Sequence, residues 1–185
     1  MIGKYGKTCI YLKTNKEEKN MKLLILTLFL LPSLIFAESK KNYSTQAYQL
    51  TLDGAKEVAN RAQEAAKKLN RSVTVVVVGT QGETIIIYKG DGVGPHNTEA
   101  ARRTAYTSLS TKTATLLLSR NARANPDTNN LATLPELLLL SGGYPLWKEE
   151  TVIGAIGIAG GGSPENDDLI ASKAELPGVG IFTKK

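Results

Sequence analysis

After Cys9 the 185-residue sequence contains no cysteine, and it holds a single histidine, His96, and a single tryptophan, Trp147. The missing thiols exclude a disulfide framework and the cysteine-rich zinc sites, and one histidine is too few for a protein-built zinc centre. A chain without paired cysteines must be stable through packing alone. Aromatic residues make up 6%, which argues against a deep ligand pocket walled by Phe and Trp. No Walker spacing precedes a lysine, no G-x-G-x-x-G opens a helix after a first strand, and no G-x-S-x-G marks a serine nucleophile. There is no internal repeat and no low-complexity block. No apolar run approaches the roughly 20 residues of a membrane-spanning helix.

The chain is formally basic, +6 with 23 Lys+Arg against 17 Asp+Glu. That charge is unevenly placed. Residues 21–37 read MKLLILTLFLLPSLIFA, with Lys22 as a positive start, an apolar run from Leu23 to Leu31, a break at Pro32 and a small residue, Ala37, before the polar Glu38-Ser39-Lys40-Lys41. This is the tripartite pattern of a secretory signal. Residues 1–20 show neither apolar periodicity nor a fold of their own, and Met21 is the more natural start. The reading is a leader over 1–37, followed by one domain over 38–185, periplasmic or secreted, with no stable membrane anchor. Residues 1–37 carry six lysines and two glutamates, so their removal takes the formal charge from +6 to about +2. The basicity belongs to the leader, and a clustered basic face for nucleic acid is not expected.

Apolar residues recur at spacings of three and four from Leu52 through Ala55, Val58, Ala59, Ala62, Ala65 and Ala66 to Leu69, which predicts a helix capped by Thr51. Ser72–Val78 (SVTVVVV) reads as a buried strand and Glu83–Lys89 as its hairpin partner across Gly79-Thr80-Gln81-Gly82. The Gly90–Asn97 loop follows. A helix is expected from Glu99 to about Leu118, capped by Asn97 or Thr98, with a break near Ser110-Thr111. Asn121–Asn130 reads as turn. Leu134–Leu140 (LPELLLL) reads as a short buried helix or turn with Pro135 at its first position. Tyr144–Lys148 and Thr151–Ala159 form a second hairpin through Glu149-Glu150. Pro164–Ala174 is a helix with an acidic start, and Leu176–Lys185 is a terminal strand or a disordered end. Hairpins joined by helices imply a mainly antiparallel sheet with helices on its faces.

The stretches "TLDGAKEVANRAQEAAKKLNRSVTVVVVGTQGETIIIYKGDG", "PHNTEAARRTAYTSLSTKT", "LLLLSGGYPL" and "VIGAIGIAGGGSPENDDLIASKA" resemble the GlcG/HbpS family of haem-binding proteins. That family also supplies the C-terminal domain of PduO and is sometimes labelled haem-degrading. The resemblance covers Leu50 to Ala174. It implies a profilin-like three-layer α/β/α sandwich around a mainly antiparallel five-stranded sheet, and assembly into homo-oligomers. It also implies a tetrapyrrole ligand, haem first and corrinoid second. Two positions depart from the family pattern. Val78-Gly79 stands where Val-Asp is common, and Arg103-Thr104-Ala105 where Arg-Lys-Ala is common. Each departure removes a charge near the expected site.

His96 is the natural focus of that site. A neutral imidazole is a good axial ligand for haem iron, so it is the metal-ligand candidate. Arg102 and Arg103 are candidates to pair with carboxylates, and Tyr106 is a second candidate for stacking or ligation. The bland alternative is a turn histidine beside a solvated arginine face. Asp167 and Asp168 are adjacent and diverge on a helix, so they read as favourable charge near a helix N-terminus. Gly160–Gly162 reads as structural. Two functions follow: an exported tetrapyrrole-binding protein for sequestration, transport or sensing, or an enzyme that degrades haem or acts on a small organic acid with His96 as acid or base. No nucleophile motif is present and no carboxylate neighbours His96 in sequence, which favours binding.

Overall fold

The computed structural model describes residues 43–184. The expected leader, with its signal and Cys9, lies outside the described residues. Gln46 onward forms one compact unit. Its elements are α1 (Leu52–Lys68), β1 (Thr74–Val78), β2 (Thr84–Lys89), α2 (Pro95–Thr111), α3 (Thr115–Ala124), β3 (Gly143–Lys148), β4 (Thr151–Ala159), α4 (Pro164–Ser172) and β5 (Ile181–Thr183), with 3-10 turns at Asn129–Thr133 and Pro177–Val179. The strands make one five-stranded sheet in the order β2-β1-β4-β3-β5, and every pairing is antiparallel.

Side chains alternate across a strand, so β1 presents Val75 and Val77 to one face and Val76 and Val78 to the other. The first face carries the larger core. Val75 and Val77 pack with Ile156, Ile158, Leu146 and Tyr144, beneath the Ala55–Ala66 stripe of α1 and Ile170 of α4. The second face is thinner and built from small residues: Val76, Val78, Ala155 and Ala159 meet Ala101 and Ala105 of α2. The two clusters make the sheet the middle layer of an α/β/α arrangement.

Glycine lets α2 lie directly on the sheet. Gly157 pairs with Gly143 on one side and Val76 on the other. A Cβ on Gly157 would run into the Ala101 carbonyl oxygen, and one on Gly143 would run into that of Thr104. The facing helix positions Ala101, Thr104, Ala105 and Ser108 are fully buried or nearly so. Thr104 and Ser108 satisfy their hydroxyls by donating to the carbonyls of Ala101 and Ala105, so these polar residues sit in a helix–sheet contact without an unmet donor.

Four local expectations are corrected. The helix after the loop starts at Pro95 with Gly94 as its cap, four residues before Glu99, because proline's fixed φ and missing N–H suit the first helical position. It ends at Thr111, where Lys112 turns left-handed at φ 52, and the chain restarts as α3. Residues 121–124 therefore belong to a helix rather than a turn. Leu52 is 52% exposed and lies off the buried stripe that begins at Ala55. Leu134–Leu140 is a turn and irregular chain in which only Leu137 is buried, with Leu134 and Leu140 each 51% exposed. Hydrogen bonds from α2 hold that segment in place. Arg103 donates to the carbonyls of Pro135 and Leu137 at 2.8 and 2.7 Å, and Leu138 N–H donates to Thr107 Oγ1 at 2.9 Å. The C-terminal residues resolve as the terminal strand β5.

Candidate functional site

The start of α2 is fixed by its preceding loop. Gly90 N–H donates to Val73 O, Ser72 Oγ donates to Asp91 O at 2.9 Å, Gly92 turns the chain at φ +74, and Val93 is buried as an anchor. His96 follows in the first turn of the helix. The Nδ1–Cε1 edge of its ring folds back over Gly94, where a Cβ would stand 2.9 Å from Cε1 and 3.1 Å from Nδ1. A side chain at position 94 would therefore displace the ring. His96 is exposed.

His96, Ala100 and Thr104 recur every four residues and share one helix face. They form one wall of an open groove of about 500 Å³. The opposite wall is the loop from β4 into α4, with Gly160, Gly162, Ser163, Pro164 and Asp167, and Leu140 and Ser141 close one end. The loop is held by its own side chains. Ser163 caps α4 by accepting from Asn166 N–H, Asn166 Nδ2 donates to Gly161 O at 2.8 Å, and Gly161 N–H donates to Asp167 Oδ1 at 2.7 Å.

Asp167 is thus part of the groove, a role that its sequence position near a helix start did not suggest. Burial raises its carboxyl from the usual 3.8 to about 6, partly offset by the Gly161 N–H that favours the charged form. The folded-state value lies above the unfolded one, so the folded protein binds the proton more tightly. Stability from this group is fully present below about pH 4, declines as the pH rises to about 6, and is flat above that. Asp167→Asn keeps an acceptor for Gly161 and removes the titration. The urea midpoint at about pH 4, taken relative to that at about pH 7, should be lower in this variant than in the parent protein; an unchanged relation would show that Asp167 titrates as an ordinary exposed acid.

The other candidate residues lie elsewhere on α2. Arg102 makes a two-bonded pair with Glu99, at 2.8 and 2.9 Å, and reaches Glu136 at 3.3 Å. The Arg102 hydrogen bond lowers the Glu99 carboxyl, and the Arg102 value rises in return. Arg103 is spent on the Pro135 and Leu137 carbonyls. Tyr106 covers Gly82 in the β1–β2 turn and lines a separate depression with Thr80, Gln81 and Lys112. Ten residues of helix separate it from His96, a rise of about 15 Å, so the two side chains do not address one iron. The structure places His96 and Asp167 on one groove and the two arginines and Tyr106 outside it.

Across the sheet, Tyr144 is buried and donates to Asp168 Oδ2 at 3.2 Å. Burial first, and the Asp168 carboxylate second, push its phenol well above the usual value, which makes it a structural donor.

Among the described residues no group of three or more His, Cys, Asp or Glu side chains could hold a bare metal ion. A single imidazole on an open groove suits instead an iron that already has four equatorial nitrogens and needs an axial ligand. His96 would supply that ligand, beside the apolar surfaces of Ala100, Leu140, Ala159 and Pro164. The donor set and the groove therefore fit a haem.

The fold and the groove define an α/β/α module with one imidazole and one carboxylate facing an open ligand surface. The model of the family described as "Haem degrading protein HbpS-like" matches residues 50–175, and the chain belongs to that family. It is 35% identical to a double mutant of HbpS from Streptomyces reticuli, with a TM-score of 0.65 over 71% of this chain and 88% of that one. A haem complex of PduOC is 28% identical, with a TM-score of 0.65 over 74% of this chain and 99% of that one. The corrinoid adenosyltransferase PduO of Salmonella typhimurium is 25% identical over 138 residues, 74% of this chain. This chain spans only 41% of that curated relative's length. Among the described residues no helix is long and apolar enough to cross a membrane.

Proposed function

We propose that this protein is an exported haem-binding protein that holds the iron through His96 at the groove between the start of α2 and the β4–α4 loop. The observation that carries this reading is the exposed imidazole, set over Gly94 and facing a groove that offers no other imidazole among the described residues. Family membership and the haem complex of the PduOC relative support it. When bound, haem would supply the iron and its redox chemistry; the chain would supply the His96 imidazole as a ligand, apolar contact and the charge around the rim.

His96 has no hydrogen-bonded carboxylate among the described residues, so it lacks the tuned neighbour of a general base. This favours sequestration, transport or sensing over acid–base chemistry on a small organic acid. The family's description keeps haem degradation as the second reading. Titrating the protein with haemin separates the two. A Soret band that shifts and saturates near one equivalent supports binding, bleaching with reductant and oxygen assigns degradation, and no saturable shift overturns both. A corrinoid stands second as ligand, on the name of the PduO relative. The same reading has the signal removed after Ala37 and the domain assembled with copies of itself, covering Leu134 and Leu140. N-terminal sequencing of the native protein and light scattering check those two parts.

A further inference from the structure

The charge around the groove is arranged from inside to outside. Among the described residues that line it, Asp167 is the charged one. One carboxylate oxygen of Asp167 is fixed by Gly161 N–H, and the other has no hydrogen-bond partner among the described residues. An anionic group pushed deep into the groove would meet this carboxylate. The two arginines nearest in sequence do not relieve it, because Arg102 is paired with Glu99 and Glu136 and Arg103 is bound to backbone carbonyls.

A third arginine lies at the lip. Arg71 follows α1, and its backbone N–H is anchored on Ala66 O at 3.0 Å. Its guanidinium lies against Gly162, one of the groove residues. A Cβ on Gly162 would stand 3.1 Å from both Cζ and Nη1 of Arg71 and 3.4 Å from Nη2. Gly162 adopts φ +87, a conformation that suits glycine, and it puts no side chain between its backbone and the guanidinium. Arg71 is exposed and makes no ion pair among the described residues.

We propose that Arg71 is the carboxylate-binding residue of the His96 groove and that, with Asp167 behind it, it orients the ligand with its carboxylate edge outward. The proposal rests on the haem reading and deepens it. The ligand it defines has a flat apolar body and carboxylates on one edge. The body lies along Ala100, Leu140 and Ala159, and the carboxylates reach the lip at Gly162. Guanidinium and carboxylate match as a two-bonded pair.

The test uses two probes, haemin and its dimethyl ester, in which the same macrocycle has lost both negative charges. The parent protein should bind haemin about fivefold more tightly than the ester, the scale of a solvent-exposed pair, and the preference should shrink with added salt. Arg71→Gln should remove that preference by weakening haemin alone, leaving ester affinity and the iron's spectrum unchanged. Arg61→Gln, on α1 and outside this groove, controls for the lost positive charge and should leave the preference intact. An Arg71→Gln protein with the parent's haemin-to-ester ratio overturns the proposal, as does one that weakens both probes equally. A parent protein that binds neither probe removes the haem reading itself, and the proposal with it.

Discussion

Gly157→Ala should unfold this domain more readily than any single change on its surface. The added methyl has no space, because it would overlap the Ala101 carbonyl oxygen and stand 2.8 Å from Ala105 N. Both obstacles are backbone atoms of α2, so no side chain can rotate away to make room. The helix would have to lift off a sheet face on which Ala101, Ala105, Val76 and Ala155 are fully buried. Overpacking of this kind costs about 3 kcal/mol, which for a domain of this size lowers Tm by roughly 6–12 °C. Gly157 is not among the glycines with positive φ, so the loss would report space and not backbone strain. Gly178→Ala is the matched control: a Cβ there meets nothing within 4 Å, and its Tm should stay within a degree or two, at the scale of small surface changes. Equal melting of the two variants would mean that α2 does not rest on the sheet as described. Lifting α2 would also move His96, so Gly157→Ala should impair haemin binding without touching the groove.

The α1 helix, both hairpins and α4 were legible because each announces itself locally. Thr51 caps a stripe of period 3.6, the β-branched run at 74–78 reads as strand, and Ser163-Pro164 opens a helix. The start of α2 was misread for a reason that is also local. Asn97 and Thr98 are good side-chain caps, but Gly94 caps without a side chain and Pro95 takes the first helical position. The Gly-Pro pair was the available signal, and giving it priority would have put His96 on the helix. The four leucines at 137–140 suggested burial. Only Leu137 is buried, in a segment placed by hydrogen bonds that Arg103 and Thr107 make from more than 30 residues away, which no local pattern reveals.

The groove was half legible. His96 stood out as the single imidazole, whereas Asp167 read as ordinary charge near a helix N-terminus and nothing in the sequence singled out Arg71. They reach the groove only because β4 lies between β1 and β3, which brings the β4–α4 loop beside the start of β1 and the first turn of α2. That is a property of strand order. Conversely, Arg102 and Arg103 looked well placed beside His96, yet Arg102 pairs with Glu99 and Glu136 and Arg103 is held by the Pro135 and Leu137 carbonyls.

The second large effect belongs to His96→Ala. Among the described residues the imidazole is the one nitrogen ligand for iron that lines this groove. Changes to residues that merely support a metal ligand cost roughly 10–100-fold in affinity, so loss of the ligand should cost at least that. The fold should be unaffected, because the side chain is exposed and such changes lie within about 0.5 kcal/mol. Free imidazole added to the variant should restore the lost ligand field in part, which distinguishes a missing ligand from a damaged groove.

The most direct measurement is the visible spectrum of the haemin complex of the parent protein beside that of His96→Ala, with the two folds matched by their melting curves. The parent should show a saturable Soret band of a histidine-ligated iron. The variant should bind at least tenfold more weakly, with a displaced Soret band that free imidazole moves back. An unchanged Soret position and affinity in His96→Ala would place the ligand on another residue and contradict the account.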